Sequence, residues 1–230
     1  MEGVALQSLL AVISDDQAVR DLRSYFIGGT GSPPFTGARF EVLDGGGSRD
    51  DVRDRITPWD ILAVQCLSVT VPAAVAVDLI DGVLGRQLGA LLHDIPTNVA
   101  LGDADASIHV SDRSSADQAW RLLDAQDDVG WVIAGKVMAR KRPHLIPVWD
   151  KVVRCAFGRP RNAWLWLDDL LRQQDSELKT RLDELHRAAE LPDSISRIRV
   201  LDVVIWMRHR PSHRSVQCPG LAIPRAESEG

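Results

Sequence analysis

Apolar residues recur along most of this chain at spacings of three and four, the period that lays one stripe along an α-helix. Ser14-Asp15-Asp16 offers a cap, and Val19, Leu22 and Phe26 follow at helical spacing, so a helix is expected from about Asp15 to Phe26, ended by Gly28-Gly29-Thr30-Gly31. Thr57-Pro58-Trp59-Asp60 is a strong start: a threonine N-cap, proline at the first helical position, and an acid at the third that can face back to the cap N–H. That helix is expected to reach about Ser68, with others from Pro72 to Ile80 and from Leu84 to His93. Ser114 or Ser115 caps a helix through about Ala125, and Trp131 to Lys141 forms the next. Pro143 must end it, because proline lacks an N–H and clashes with the preceding turn. Asp150 stands where another helix begins, one that stops near Gly158-Arg159-Pro160. Asn162 caps the stripe Trp164, Leu167, Leu170 and Leu171, and Ser176 caps Leu178, Leu182 and Leu185. Pro192-Asp193-Ser194 opens a last helix, Ile195 to Arg208, with Ile198, Leu201, Val204 and Ile205 inward. Only Phe35 to Leu43, closed by Asp44-Gly45-Gly46-Gly47, alternates like a strand.

With about nine helices and at most a short β-hairpin near the N-terminus, the pattern specifies an all-α fold. The expected organisation is a helical lobe over 1–110 that includes the extended segment, a second lobe over 111–210, and a mobile, aperiodic tail over 211–230. Only Gln126 to Gly130 separates two helices of the second lobe, a connector short enough to make them antiparallel neighbours.

Composition narrows the picture. A chain of 230 residues, 45% hydrophobic, can bury a substantial core. Three cysteines without Cys-x-x-Cys spacing suit a reducing cytoplasm and provide no disulfide or zinc framework, so Cys66 and Cys155 read as small buried hydrophobes. His209 and His213, separated by Pro211, lack the helix and the further ligands a metal site needs. Asp103-x-Asp105-x-Ser107 imitates a calcium loop, but Ile108 and Ser114 occupy its required glycine and final acid positions. No metal and no cofactor are therefore expected. The Gly28 to Pro33 loop lacks the Gly-Lys-Ser/Thr of a phosphate-binding P-loop. Met1 to Ser14 carry no basic n-region, and the apolar run Ile61 to Val77 is broken by Gln65 and Pro72, so neither a signal peptide nor a membrane span is expected.

Charge changes the picture most. On a chain of net charge −5, the stretch from Trp131 to Arg161 holds eight basic residues against one acid, Asp150. Such asymmetry points to a polyanionic partner. Lys136 and Arg140 lie one helical turn apart, with Lys141 and Arg142 extending the charge and Lys151 and Arg154 following. The run could track phosphates or simply be a solvated face. Gly130 could bring backbone N–H groups to a phosphate or be the left-handed residue of a turn. Trp131 and Trp149 are candidates for stacking on an extruded base, or for the core. Asp150 could act on a substrate, or cap its helix and pair with Arg154 one turn on. His144 could act as an acid–base group or be a polar loop residue.

The stretch Asp127 to Arg154 resembles the helix-hairpin-helix DNA glycosylases: Val129-Gly130 with Ala134 is similar to the end of their hairpin, and Ile146-Pro147-Val148-Trp149-Asp150 with Val153-Arg154 to their aspartate segment. The wording Lys-Arg-Pro-His-Leu-Ile-Pro-Val-Trp-Asp is also similar to a family of bacterial proteins of unassigned function sharing that core. The resemblance implies a helix-hairpin-helix bundle, DNA as partner with RNA as an alternative, and Asp150 as the catalytic carboxylate. Where bifunctional members place a lysine nucleophile this chain has Val132, and the four-cysteine iron–sulfur loop of some relatives is absent. The implied activity is a monofunctional DNA N-glycosylase acting in repair. A non-catalytic nucleic-acid-binding module and a hydrolase of nucleosides or other N-glycosides are the alternatives.

Overall fold

A computed structural model of the chain describes residues 6–14, 16–29, 31–173 and 177–213, together with Cys218 and Gly220. The fold is all-α. Its helices are α1 (Leu6–Ile13), α2 (Asp16–Phe26), α3 (Pro58–Gln65), α4 (Ala73–Asp81), α5 (Val83–His93), α6 (Ala106–Val110), α7 (Ser115–Asp124), α8 (Trp131–Lys141), α9 (Lys151–Ala156), α10 (Ala163–Arg172), α11 (Glu177–Ala188) and α12 (Arg197–His209). No helix among the described residues is long and apolar enough to cross a membrane.

The side chains that cap these helices start them where the sequence places them. Thr57 Oγ1 accepts from the Asp60 N–H at 3.2 Å and Asp60 Oδ2 accepts from the Thr57 N–H at 2.9 Å, a reciprocal capping box in front of Pro58. Ser114 and Asn162 accept from the N–H groups of Asp117 and Leu165 at 3.2 and 3.1 Å. Each such cap contributes about 1 kcal/mol by satisfying an N–H that the helix leaves unpaired. The connector from α7 to α8 turns through Asp128, at φ 58°, with the Val129 N–H donating to Gln126 O at 3.1 Å. The two helices pack against each other.

Four expectations need correction or fall outside view. Phe35 to Leu43 is not a strand: short 3-10 turns span Thr36–Arg39 and Leu43–Gly45, and among the described residues no strand exists to pair with it. Its alternation reflects side chains dipping into the core, with Ala38 and Phe40 buried. α1 is an addition, apolar on most of its surface, with Leu6, Leu9, Leu10, Val12 and Ile13 all buried. The last helix begins at Arg197 because Ser196, which accepts from the Arg199 N–H at 3.3 Å, is its cap, whereas Pro192 to Ile195 form a separate turn. The Ser176 cap lies outside the described residues, as does most of the tail expected over 211–230.

One connected core runs from Leu6 to Ile205 and draws on both sequence halves. At its centre is α12, buried continuously from Ile198 to Ile205, with α1, α2, α9 and α11 packed around it. α8 is likewise buried from Ala134 to Lys141, between α3 and α7. A helix enclosed on all sides turns its charged residues inward as well as its apolar ones. That property of α8 and α12 determines the rest of the structure.

Candidate active-site cavity

The basic run of α8 does not form a surface. Lys136, Arg140, Lys141 and Arg142 are at most 3% exposed, so the expected phosphate-tracking edge is corrected to a set of internal pins. Arg140 donates to the carbonyls of Phe40, Glu41 and Leu43 and to Asp60 Oδ1. Lys141 donates to Val52 O at 2.8 Å and Asp60 Oδ2 at 3.0 Å, and Arg142 to the carbonyls of Arg53, Leu92 and Ile95 and to Asp54. The physical reason lies in the segments they reach. The turns between α2 and α3 have few regular backbone partners, and buried carbonyls must find donors somewhere. Gly47 is part of this arrangement, since a Cβ there would lie 2.6 Å from Arg140 O and 2.7 Å from Asp60 Oδ1.

Lys136, one turn earlier, points elsewhere. It lines a cavity of about 600 Å³ bounded by α2 with the turn after it, the end of α3, the starts of α8 and α9, and α12. Its Nζ donates to Leu67 O at 2.8 Å, and burial holds its pKa below the ordinary lysine value against the opposing pull of Asp150. Asp150 enters from the N-terminus of α9, where Oδ1 accepts from the N–H groups of Val152 and Val153, both at 2.9 Å. Among the described residues its second oxygen accepts no protein hydrogen bond, and Asp150 is only half buried in the cavity wall. The expected pairing with Arg154 is not made: the Arg154 guanidinium lies 5.2 Å over the Trp131 ring instead, at the cavity's edge.

The two tryptophans separate. Trp131 is half buried and lines the cavity, whereas Trp149 is 7% exposed and stacks on Phe157 at 5.0 Å, so its candidacy for base stacking is corrected to core packing. Gly130 is exposed with extended backbone, φ −78° and ψ 171°, and nothing lies within 4 Å of a Cβ built there; the left-handed residue of the turn is Asp128. Lys151 and Arg154 are exposed, as a polyanion contact requires. His144 is not part of the cavity wall.

Residues that the sequence reading did not single out complete the site. On α12, Arg199 donates from Nη1 to both Asp202 oxygens at 2.8 and 3.0 Å and from Nη2 to the Tyr25 hydroxyl at 2.9 Å, with Nε 2.6 Å from Glu41 Oε1. One buried guanidinium thus faces two buried carboxylates. Burial raises both carboxyls above their ordinary range, Asp202 to about 7, against the opposing charge of Arg199. Glu41 Oε2 has no hydrogen-bond partner among the described residues, the environment in which a carboxyl retains a proton. Gly37 gives the Tyr25 hydroxyl its space, because a Cβ there would collide with it. Phe35 and Trp206 add aromatic faces, Phe35 stacking on Tyr25 at 5.2 Å and meeting Trp206 edge-on at 5.7 Å. The signal in the sequence was Arg199 and Asp202, charged residues three apart inside the otherwise apolar run from Ile198 to Trp206.

A half-open, aromatic-lined cavity with a few convergent charges is the usual form of a small-molecule or base-binding site. No curated protein and no solved structure matches the chain. Residues 18–209 match the model of the family described as Family of unknown function (DUF6308), and the chain belongs to that family.

Proposed function

We propose that the protein is a nucleic-acid N-glycosidase that takes an extruded base into the cavity and breaks its bond to the sugar with the help of Asp150. The observation carrying this reading is the state of that carboxylate. One oxygen is held by two helix N–H groups, and the other accepts no hydrogen bond among the described residues, in a cavity walled by Trp131, Phe35 and Trp206. Flat aromatic walls suit a base, and a volume of about 600 Å³ accommodates a nucleoside-sized group. As the N-glycosidic bond breaks, its electron pair leaves with the base and positive charge develops on the sugar, where a fixed carboxylate stabilises it. Water then adds at the sugar carbon, Asp150 takes its proton and passes it by way of solvent to the departed base, so the carboxylate is restored and the products are the protonated free base and an intact abasic site. The exposed Lys151 and Arg154 and the open backbone at Gly130 are the contacts available to phosphates.

A second reading, hydrolysis of a free nucleoside or another small N-glycoside, is favoured by one observation. Four cations expected on a phosphate-tracking edge are internal, and the chain as a whole carries net charge −5. Oligonucleotides bearing single lesions or an abasic-site analogue, tested for binding and base release beside free nucleosides at increasing salt, separate the two. Duplex binding weakens steeply with salt and small-molecule turnover does not. Base release from neither class, with the chain folded, would overturn the glycosidase reading.

A further inference from the structure

At the C-terminal ends of α9 and α12, four side chains from separate parts of the chain converge. Cys155 comes from the last turn of α9, His209 ends α12, and His213 follows one turn later, its N–H donating to Arg210 O at 3.3 Å. Cys218 completes the group. One ligand atom from each lies within 4.8 Å of every other. His213 Nδ1 is 3.4 Å from His209 Nε2, Cys218 Sγ is 3.5 Å from the same Nε2, and Cys155 Sγ is 3.7 Å from Cys218 O. Cys155, His209 and Cys218 are buried and His213 is half buried.

We propose that Cys155, His209, His213 and Cys218 form a tetrahedral structural Zn²⁺ site. With metal–sulfur bonds of about 2.3 Å and metal–nitrogen bonds of about 2.0 Å, a tetrahedron has edges of roughly 3.3–3.8 Å. The His213 Nδ1–His209 Nε2 and Cys218 Sγ–His209 Nε2 separations, 3.4 and 3.5 Å, fall in that interval. Two thiolates with two imidazoles select Zn²⁺ among abundant divalent ions, since Mg²⁺ and Ca²⁺ require oxygen ligands. Binding releases one proton from each thiol, which makes a neutral centre of one Zn²⁺ and two thiolates. The Arg159 guanidinium, 3.7 Å from Cys155 Sγ, adds a donor that stabilises thiolate charge from outside the ligand set. Four protein ligands leave no open position, so the ion is structural and not catalytic.

Its position gives it a task. α9 carries Asp150 at its first turn and Cys155 at its last, whereas α12 carries Arg199, Asp202 and Trp206 before His209. The ion therefore fastens together α9 and α12, two helices that pack on each other and both contribute to the cavity wall, and ties Cys218 to both. This task holds whatever reaction the cavity performs.

The test uses the 230-residue chain purified under reducing conditions without chelator. The expected content is one Zn²⁺ per chain by elemental analysis. Replacement by Co²⁺ should give the intense visible bands of a tetrahedral ion and a near-ultraviolet thiolate charge-transfer band. Cys218→Ser and His213→Ala should each lose stoichiometric binding while keeping helical circular dichroism. Cys66→Ser, outside the cluster, should retain it. Chelation should lower the melting temperature of the parent chain and leave that of Cys218→Ser unchanged. A reduced parent chain that takes up neither Zn²⁺ nor Co²⁺ would overturn the proposal. So would a Co²⁺ spectrum without the thiolate band, or full Zn²⁺ retention when Cys155 and Cys218 are both serine.

Discussion

Asp60 meets two cations of α8 at once: Oδ1 lies 3.0 Å from Arg140 Nε and Oδ2 lies 3.0 Å from Lys141 Nζ, all three groups being buried. The same carboxylate accepts from the Thr57 N–H and so joins the start of α3 to the end of α8. Removing one member of such a group leaves the other charges buried and uncompensated. Asp60→Asn is therefore expected to cost about 3–5 kcal/mol, read from the midpoint of denaturant unfolding. A midpoint shift worth only about 1 kcal/mol would show that the capping box alone accounts for Asp60.

The inward direction of the α8 cations divides the basic residues into two experimental classes. Reversing Lys136 and Arg140 to glutamate should unfold the protein, because the new carboxylates would face the carbonyls that the cations now satisfy. Reversing the exposed Lys151 and Arg154 should leave the melting temperature nearly unchanged. If duplex DNA is the partner, that reversal should reduce the slope of log affinity against log salt by about 0.9 for each phosphate contact removed. A folded Lys136 and Arg140 double reversal with only weakened binding would return those residues to the surface.

Asp150→Asn separates chemistry from capping. Asparagine accepts the Val152 and Val153 N–H groups nearly as well, so stability should change by only a few tenths of a kcal/mol. Loss of the charge opposite a developing cation should slow base release on the order of a hundredfold or more. Binding should hold or strengthen slightly. Full activity in Asp150→Asn on a proven substrate would remove Asp150 from the mechanism. Borohydride trapping of a covalent complex would instead assign the step to an amine, and among the described residues Lys136, with its pKa lowered by burial, and the exposed Lys151 are the lysines that line the cavity.

The Arg199 group makes stability depend on pH. Asp202 titrates near 7 in the folded chain and near 4 when unfolded, so the folded state binds its proton more tightly. Glu41, raised by the same burial, and Asp150 across the cavity add to the effect, while Arg199 opposes it. The stabilisation is fully present below about pH 4 and is lost as pH rises through 7, a change of at most about 4 kcal/mol. Asp202→Asn should flatten the decline of the unfolding free energy between those limits. An unaltered pH profile in that variant would place the excess proton elsewhere.

The all-α class and most helix starts were legible in the sequence because their causes are local. Thr57, Ser114, Asp150 and Asn162 cap helices through contacts within three residues, and Pro143 stops α8 through its own ring. The strand-like reading of Phe35 to Leu43 went wrong for the opposite reason. Alternation shows which side chains are apolar, but only the position of Arg140, about a hundred residues on, decides where the carbonyls of Phe40, Glu41 and Leu43 find donors. Asp150 was visible from its segment, but the partners that make it a site, Tyr25, Lys136, Arg199 and Asp202, come from three other helices. Cys155 and Cys218 meet across sixty-three residues, and no spacing rule reads that distance. A run of charge looks the same in sequence whether water or backbone solvates it. Tertiary packing decided the difference by enclosing α8 and α12 on every side, which leaves a lysine or arginine no way to satisfy its charge except on the protein itself.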